Sequence, residues 1–144
     1  MEVKIINDNP YGLPEYKTVG SAGMDLYSNL ASSIVLQPLE RNIIPTGIRI
    51  QLPIGYEAQV RPRSGAAAKY GVTVLNSPGT VDADYTGEIG VILVNLSTEP
   101  VTIGPGDRVA QLVVAKYESV TWSVTDKLEQ TERGDNGYGH TGSR

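Results

Sequence analysis

The stretch Asn76-Ser77-Pro78-Gly79-Thr80-Val81-Asp82-Ala83-Asp84-Tyr85-Thr86-Gly87-Glu88 decides how this chain is read. Ser77, Pro78 and Gly79 interrupt an apolar run, and Asp82, Asp84 and Tyr85 follow directly. A turn leaves backbone groups free for a ligand. A carboxylate beside a tyrosine there is a candidate general base next to a ring surface. Taken locally, the same residues also describe a hairpin turn with solvated acids. The rest of the chain decides between the two.

Outward from this stretch the sequence reads as short strands. Val72 to Leu75 leads in, and the β-branched run Glu88 to Leu96 leads out. Val3–Ile6, the run from Met24, Ser33–Gln37, Val101–Ile103 and Asp107–Tyr117 are further strand candidates. Arg41–Leu52 reads as two strands joined by a turn at Pro45-Thr46-Gly47. Tyr56–Arg63 alternates, with Tyr56, Ala58 and Val60 on one face and Glu57, Gln59 and Arg61 on the other. Ser119–Thr125 alternates around Trp122. The single helix candidate is Ser64–Tyr70, alanine-rich, with Ser64 expected as its cap and Gly71 as its stop. Many short strands with turn residues between them predict an all-β sandwich or barrel with one short helix.

Composition bounds the function. The chain has 144 residues, 16 glycines and 9 prolines, which favours one turn-rich domain. It has no Cys and no Phe, so disulfides and Cys-based zinc sites are excluded and Leu, Ile, Val and Tyr carry the core. The lone His140 excludes a histidine cluster, and a Ser64-based triad with it is not expected. A net charge of −4 argues against non-specific nucleic-acid binding. No apolar run approaches the ~20 residues of a membrane helix. The opening Met1-Glu2-Val3-Lys4 lacks a signal-peptide pattern, so a cytoplasmic protein is expected, and the sequon Asn95-Leu96-Ser97 is read as chance.

Four segments can carry chemistry besides the opening stretch. Glycines precede Asp25 in Gly20-Ser21-Ala22-Gly23-Met24-Asp25 and allow close backbone approach. Arg61-Pro62-Arg63-Ser64-Gly65 sets guanidinium and hydroxyl groups at a strand-to-helix corner, a possible phosphate cradle or an ordinary helix start. Gln111 lies inside the apolar strand after Gly104-Pro105-Gly106 and must find partners, as a structural amide or on water or phosphate. Gly137 to Gly142 matches G-x-G-x-x-G, but the strand and helix of a dinucleotide fold are missing around it. A glycine-rich tail with Arg133 and Thr141 can still wrap an anion.

Together these segments resemble the trimeric dUTPase family. Ala22–Leu26, Pro62–Gly65, Gly79–Ile89, Gly106–Leu112 and Arg133–Gly142 are similar to the family's five motifs, in the family's order. The resemblance implies a jelly-roll-like β-barrel or sandwich over residues 1–126 and a mobile C-terminal arm over 127–144. It implies a homotrimer with shared active sites that hydrolyses dUTP to dUMP and pyrophosphate with Mg2+, keeping uracil out of DNA and supplying dUMP for dTMP synthesis. Asp82 would be the general base. Arg63, Ser64, Gly65 and Gln111 would handle phosphates and water, with Ser64 stabilising charge on the leaving group. Asn76, Gly79, Thr80 and Val81 would read uracil and sugar, and Tyr85 would pack under the deoxyribose. Arg133, Tyr138, Gly139, His140, Thr141 and Gly142 would close over the nucleotide. Asp25 would stand near the metal through water. The motifs depart from the family at Ala66, where Leu is common, and at Asn136, Tyr138 and His140, where Gly, Phe and Ser are usual. The alternatives are a dUTPase-fold regulator that binds nucleotide or protein without turnover, and a relative of the dCTP deaminases.

Overall fold

The computed structural model describes residues 1–135. Its strands are β1 (Lys4–Asn7), β2 (Met24–Tyr27), β3 (Ile34–Leu36), β4 (Arg41–Pro45), β5 (Ile48–Gln51), β6 (Tyr56–Arg61), β7 (Val72–Val74), β8 (Gly79–Val81), β9 (Gly90–Asn95), β10 (Val101–Ile103) and β11 (Arg108–Lys116). One helix, α1 (Ser64–Tyr70), joins β6 to β7. No helix among the described residues is long and apolar enough to cross a membrane.

Every strand pair is antiparallel. The largest sheet has the order β2-β11-β6-β8, and the next has the order β4-β9-β7. Two ribbons, β1-β5 and β10-β3, complete the body. Alternation explains the layering: Leu26, Ala58, Val60, Val81 and Leu112 turn inward from the first sheet, and Ile44, Val72, Val74, Val91 and Leu93 from the second, into one buried cluster. The architecture is the jelly-roll-like all-β fold, with one short helix.

The structure corrects three local expectations. Ser77-Pro78-Gly79 does not make a hairpin, because β7 pairs with β9 whereas β8 pairs with β6. The turn hands the chain from one sheet to the other. Arg41–Leu52 does form two strands, β4 and β5, joined by the expected turn; they pair with β9 and β1, so the chain changes sheets at Gly47, whose φ is 67°. Ser64 is not the cap of α1: Arg63 holds that position without a side-chain cap bond, and Ser64 is the first helical residue. Gly71 does end the helix in the left-handed region, its N–H reaching the carbonyls of Ala66 and Ala67. The alternating run Ser119–Thr125 forms no strand, and Trp122 is 86% exposed. A strand needs a partner for its backbone groups, and among the described residues that run pairs with none.

Asn95, the sequon asparagine, is fully buried. Its amide donates to the carbonyls of Leu36 at 2.9 Å and Glu99 at 2.8 Å, and its oxygen accepts from Ser97 N–H at 2.9 Å and Ser97 Oγ at 2.8 Å. It ties β3, β9 and the loop before β10 together and leaves no amide for a glycan. Asn95→Ala removes these four hydrogen bonds at a buried position and is expected to cost about 2–4 kcal/mol, measured by urea denaturation at fixed protein concentration.

Candidate active site

Two separate sites take shape from the residues singled out in the sequence. The first surrounds β8. Asn76, Gly79, Thr80, Val81, Asp82 and Tyr85 line one cavity of about 230 Å³ together with Val60, Glu88, Ile89 and Gly90. Pairing of β8 with β6 fixes its floor, with Val60 opposite Gly79. Past the strand the chain turns, Tyr85 N–H bonding Asp82 O at 3.1 Å. That turn separates the two acids: Asp82 lines the cavity, while Asp84 is exposed and does not. The volume is below the ~300–1,000 Å³ of pockets for drug-sized ligands, so it suits a nucleoside better than a whole nucleoside triphosphate.

The second site lies across β2, β11 and β6. Asp25, Gln111 and Arg61 are direct cross-strand partners and share the face turned away from the core. β11 carries a bulge between Arg108 and Ala110. In an unbroken strand Arg108, three residues before Gln111, would point to the opposite face. The bulge turns both Val109 and Ala110 into the core and brings Arg108 to the side of Asp25. Asp25 accepts from Arg63 Nε at 3.1 Å and from Arg108 Nη1 at 3.2 Å. Arg63 also donates to the Arg108 carbonyl at 3.1 Å. Gln111 Nε2 donates to Pro62 O at 3.0 Å, and a Cβ on Gly23 would overlap Gln111 Oε1. Ser64 is exposed, and its hydroxyl has no hydrogen-bond partner among the described residues. Arg63, Gly65 and Arg108 open onto a wider hollow of about 690 Å³ that Lys69 also lines.

Within one chain the two sites do not merge: no residue of the smaller cavity lines the wider hollow. Arg133 is exposed near the end of the described residues, and Tyr138, Gly139, His140, Thr141 and Gly142 lie outside them. Among the described residues no three His, Asp or Glu side chains converge as a metal-holding group, and both Asp25 oxygens are taken by guanidiniums. The side chains of the described residues therefore form no direct cage for Mg2+.

Sequence reasoning missed four contributors. Arg108 needs the bulge, which strand alternation does not reveal. Gly23 and Gly87 matter through what a Cβ would strike, and Glu88 through the Gly47 N–H that its carboxylate accepts at 2.8 Å. Each lies inside a motif quoted above, and that was the available signal.

The fold and the two sites describe a jelly-roll-like β protein with a nucleoside-sized cavity and a separate cationic patch. The dUTPase family model matches residues 9–142. The chain is 52% identical to the deoxyuridine 5'-triphosphate nucleotidohydrolase of Fusobacterium nucleatum over 142 residues, covering 99% of this chain and 97% of that protein. It is 51% identical to that of Finegoldia magna, covering 99% of each. Among solved structures, a point mutant of the Staphylococcus bacteriophage 80alpha dUTPase with dUpNHpp superposes with a TM-score of 0.85 at 24% identity, covering 98% of both chains. The dUTPase of phage phi11 of S. aureus, described with a structural Mg(II) ion, gives 0.80 at 22% identity over 90% of this chain and all of that one. The chain belongs to the dUTPase family.

Asp25 offsets two guanidiniums on a partly solvated face. Asp25→Asn leaves them facing each other and is expected to lower stability by about 1–2 kcal/mol, read from urea denaturation with the wild type in parallel.

Proposed function

We propose that the protein hydrolyses dUTP to dUMP and pyrophosphate, with Asp82 as the general base. The observation that carries the reading is the grouping around β8: one acid, one amide, open backbone and one tyrosine ring on a nucleoside-sized cavity. In this reading Asn76 and the backbone of Gly79–Val81 read uracil and sugar, and Tyr85 walls off a ribose 2′-hydroxyl. Asp82 takes a proton from water, whose oxygen attacks the α-phosphorus. The bond to the bridging oxygen breaks, and pyrophosphate leaves with its electron pair. A carboxylate oxygen placed beside the attacking water can accept that proton. Asp84, outside the cavity, has no part in the step.

Arg63, Ser64, Gly65 and Gln111 serve the phosphates, Ser64 at the leaving group. Positioned donors supply most of the catalysis in phosphoryl transfer. Arg108 is added to this set, because it shares Asp25 with Arg63. When bound with the triphosphate, Mg2+ would supply charge that offsets the phosphates. Asp25, held between the two arginines, would stand near it through water.

The separation of the sites supports a homotrimer with shared active sites. A nucleoside in the β8 cavity of one copy meets the guanidiniums of another. Val120, Trp122 and Val124, 69%, 86% and 96% exposed, add apolar surface that a second copy can cover. Arg133 and the residues Tyr138 to Gly142 close over the bound nucleotide in this reading, forming the arm of the proposed 127–144 unit.

Asp82→Asn is expected to lower kcat by about 10²–10⁴-fold and leave KM within about threefold, measured by pyrophosphate release. Normal turnover by that variant removes Asp82 as the base. The wild type is expected to release pyrophosphate from dUTP in strong preference to dCTP, dTTP and UTP. Release from none of the four points to a binding protein without turnover. Truncation after Glu132 is expected to lower kcat and leave the oligomer intact by light scattering; a monomer would instead make the removed segment structural.

A further inference from the structure

Tyr85 stands at the edge of the β8 cavity, and its ring is set in place from the far side. Its hydroxyl donates to the Glu88 carbonyl at 2.8 Å. The ring passes so close to Gly87 that a Cβ there would lie 2.6 Å from the hydroxyl oxygen, 2.7 Å from Cζ and 2.9 Å from Cε2. No side chain tolerates such approach without something moving. The tethering carbonyl is itself held. The Glu88 carboxylate accepts the Gly47 N–H at 2.8 Å, and Ile89, next in sequence, is fastened by its N–H to Ile48 O at 2.8 Å and by its carbonyl to Thr46 Oγ1 at 2.5 Å. Thr46 is fully buried, so the anchor is in the core.

We propose that Gly87 is a specificity-determining positioning residue, which sets the wall against a ribose 2′-hydroxyl by leaving the berth that Tyr85 occupies. The inference rests on the dUTP reading above. Gly87 acts through Tyr85 and does not itself touch the sugar in this scheme. The backbone of Gly87 is not in the left-handed region, so alanine imposes no φ strain there. Tyr85 is 47% exposed, so its ring yields to an added methyl group more readily than the core does. The displaced ring loses the Glu88 tether, and the sugar wall is no longer fixed. The consequence is selective: it moves the preference between dUTP and UTP, which a general loss of stability would not.

The test is kcat/KM for dUTP and for UTP in the wild type, Gly87→Ala, Tyr85→Ala and the double variant. Gly87→Ala is expected to lower the dUTP/UTP ratio by about tenfold. In the Tyr85→Ala background the same change is expected to alter the ratio by less than about twofold, since its effect runs through the missing ring. An unchanged ratio in Gly87→Ala, or an equal fall in both backgrounds, overturns the inference. If Gly87→Ala does not fold, Tyr85→Phe decides: it removes the tether alone and is expected to lower the ratio, and an unchanged ratio overturns the inference. A wild type with no preference for dUTP over UTP defeats the substrate reading and this inference with it, whereas failure in the variants alone leaves the substrate reading standing.

Discussion

The register of β11 is the constraint on which the rest of the molecule depends. This strand lies between β2 and β6, so its hydrogen bonds set the largest sheet and its side chains meet residues from both neighbours. Pairing Gln111 with Asp25 on one side and Arg61 on the other gathers polar groups on the outer face. The bulge at Arg108–Ala110 then adds a guanidinium to that face and buries two consecutive apolar residues. A one-residue slip would exchange the two faces, burying Gln111 and exposing Leu112. Core and guanidinium patch thus depend on one register.

The second organising element is the passage from β7 to β8. Because the turn at Ser77-Pro78-Gly79 changes sheets, β8 sits at the end of the β2-β11-β6-β8 sheet, with only β6 as its neighbour. An end strand with a buried side and an open side can offer backbone to a ligand while its apolar residues stay in the core. Val81 and Gly79 are buried, and Thr80 and Asp82 are exposed, which is that arrangement. The turn after β8 then selects one acid of two for the cavity. The buried threonine at the β4–β5 corner holds the far end of the stretch, so the cavity is braced by the core on both sides.

The strands themselves were largely legible in the sequence. Alternation in Tyr56–Arg63 and the β-branched run after Glu88 led to β6 and β9, and the alanines before Gly71 led to α1. Local chemistry misled where a partner decides the outcome. Ser119–Thr125 has a strand's pattern but pairs with no strand among the described residues, and Ser64 has a cap's chemistry one residue too late. Asn95 matched a surface motif, yet it is a buried cross-link, because its amide bonds the carbonyls of Leu36 and Glu99 across 59 and 4 residues of chain.

The sequence by itself determined the strand-rich class, the turn positions and the set of residues able to do phosphoryl chemistry, since these rest on side-chain type and on periods of a few residues. The tertiary structure alone decided which of Asp82 and Asp84 lines the cavity, and that Arg108 joins Arg63 on Asp25. It also decided that the Tyr85 ring lies against Gly87 and that the β8 cavity and the guanidinium patch stand apart in one chain. The patch depends on pairing register, a bulge and a contact between residues 83 positions apart. Side-chain type and short periods do not encode these outcomes, because each is fixed by how the folded backbone places its neighbours.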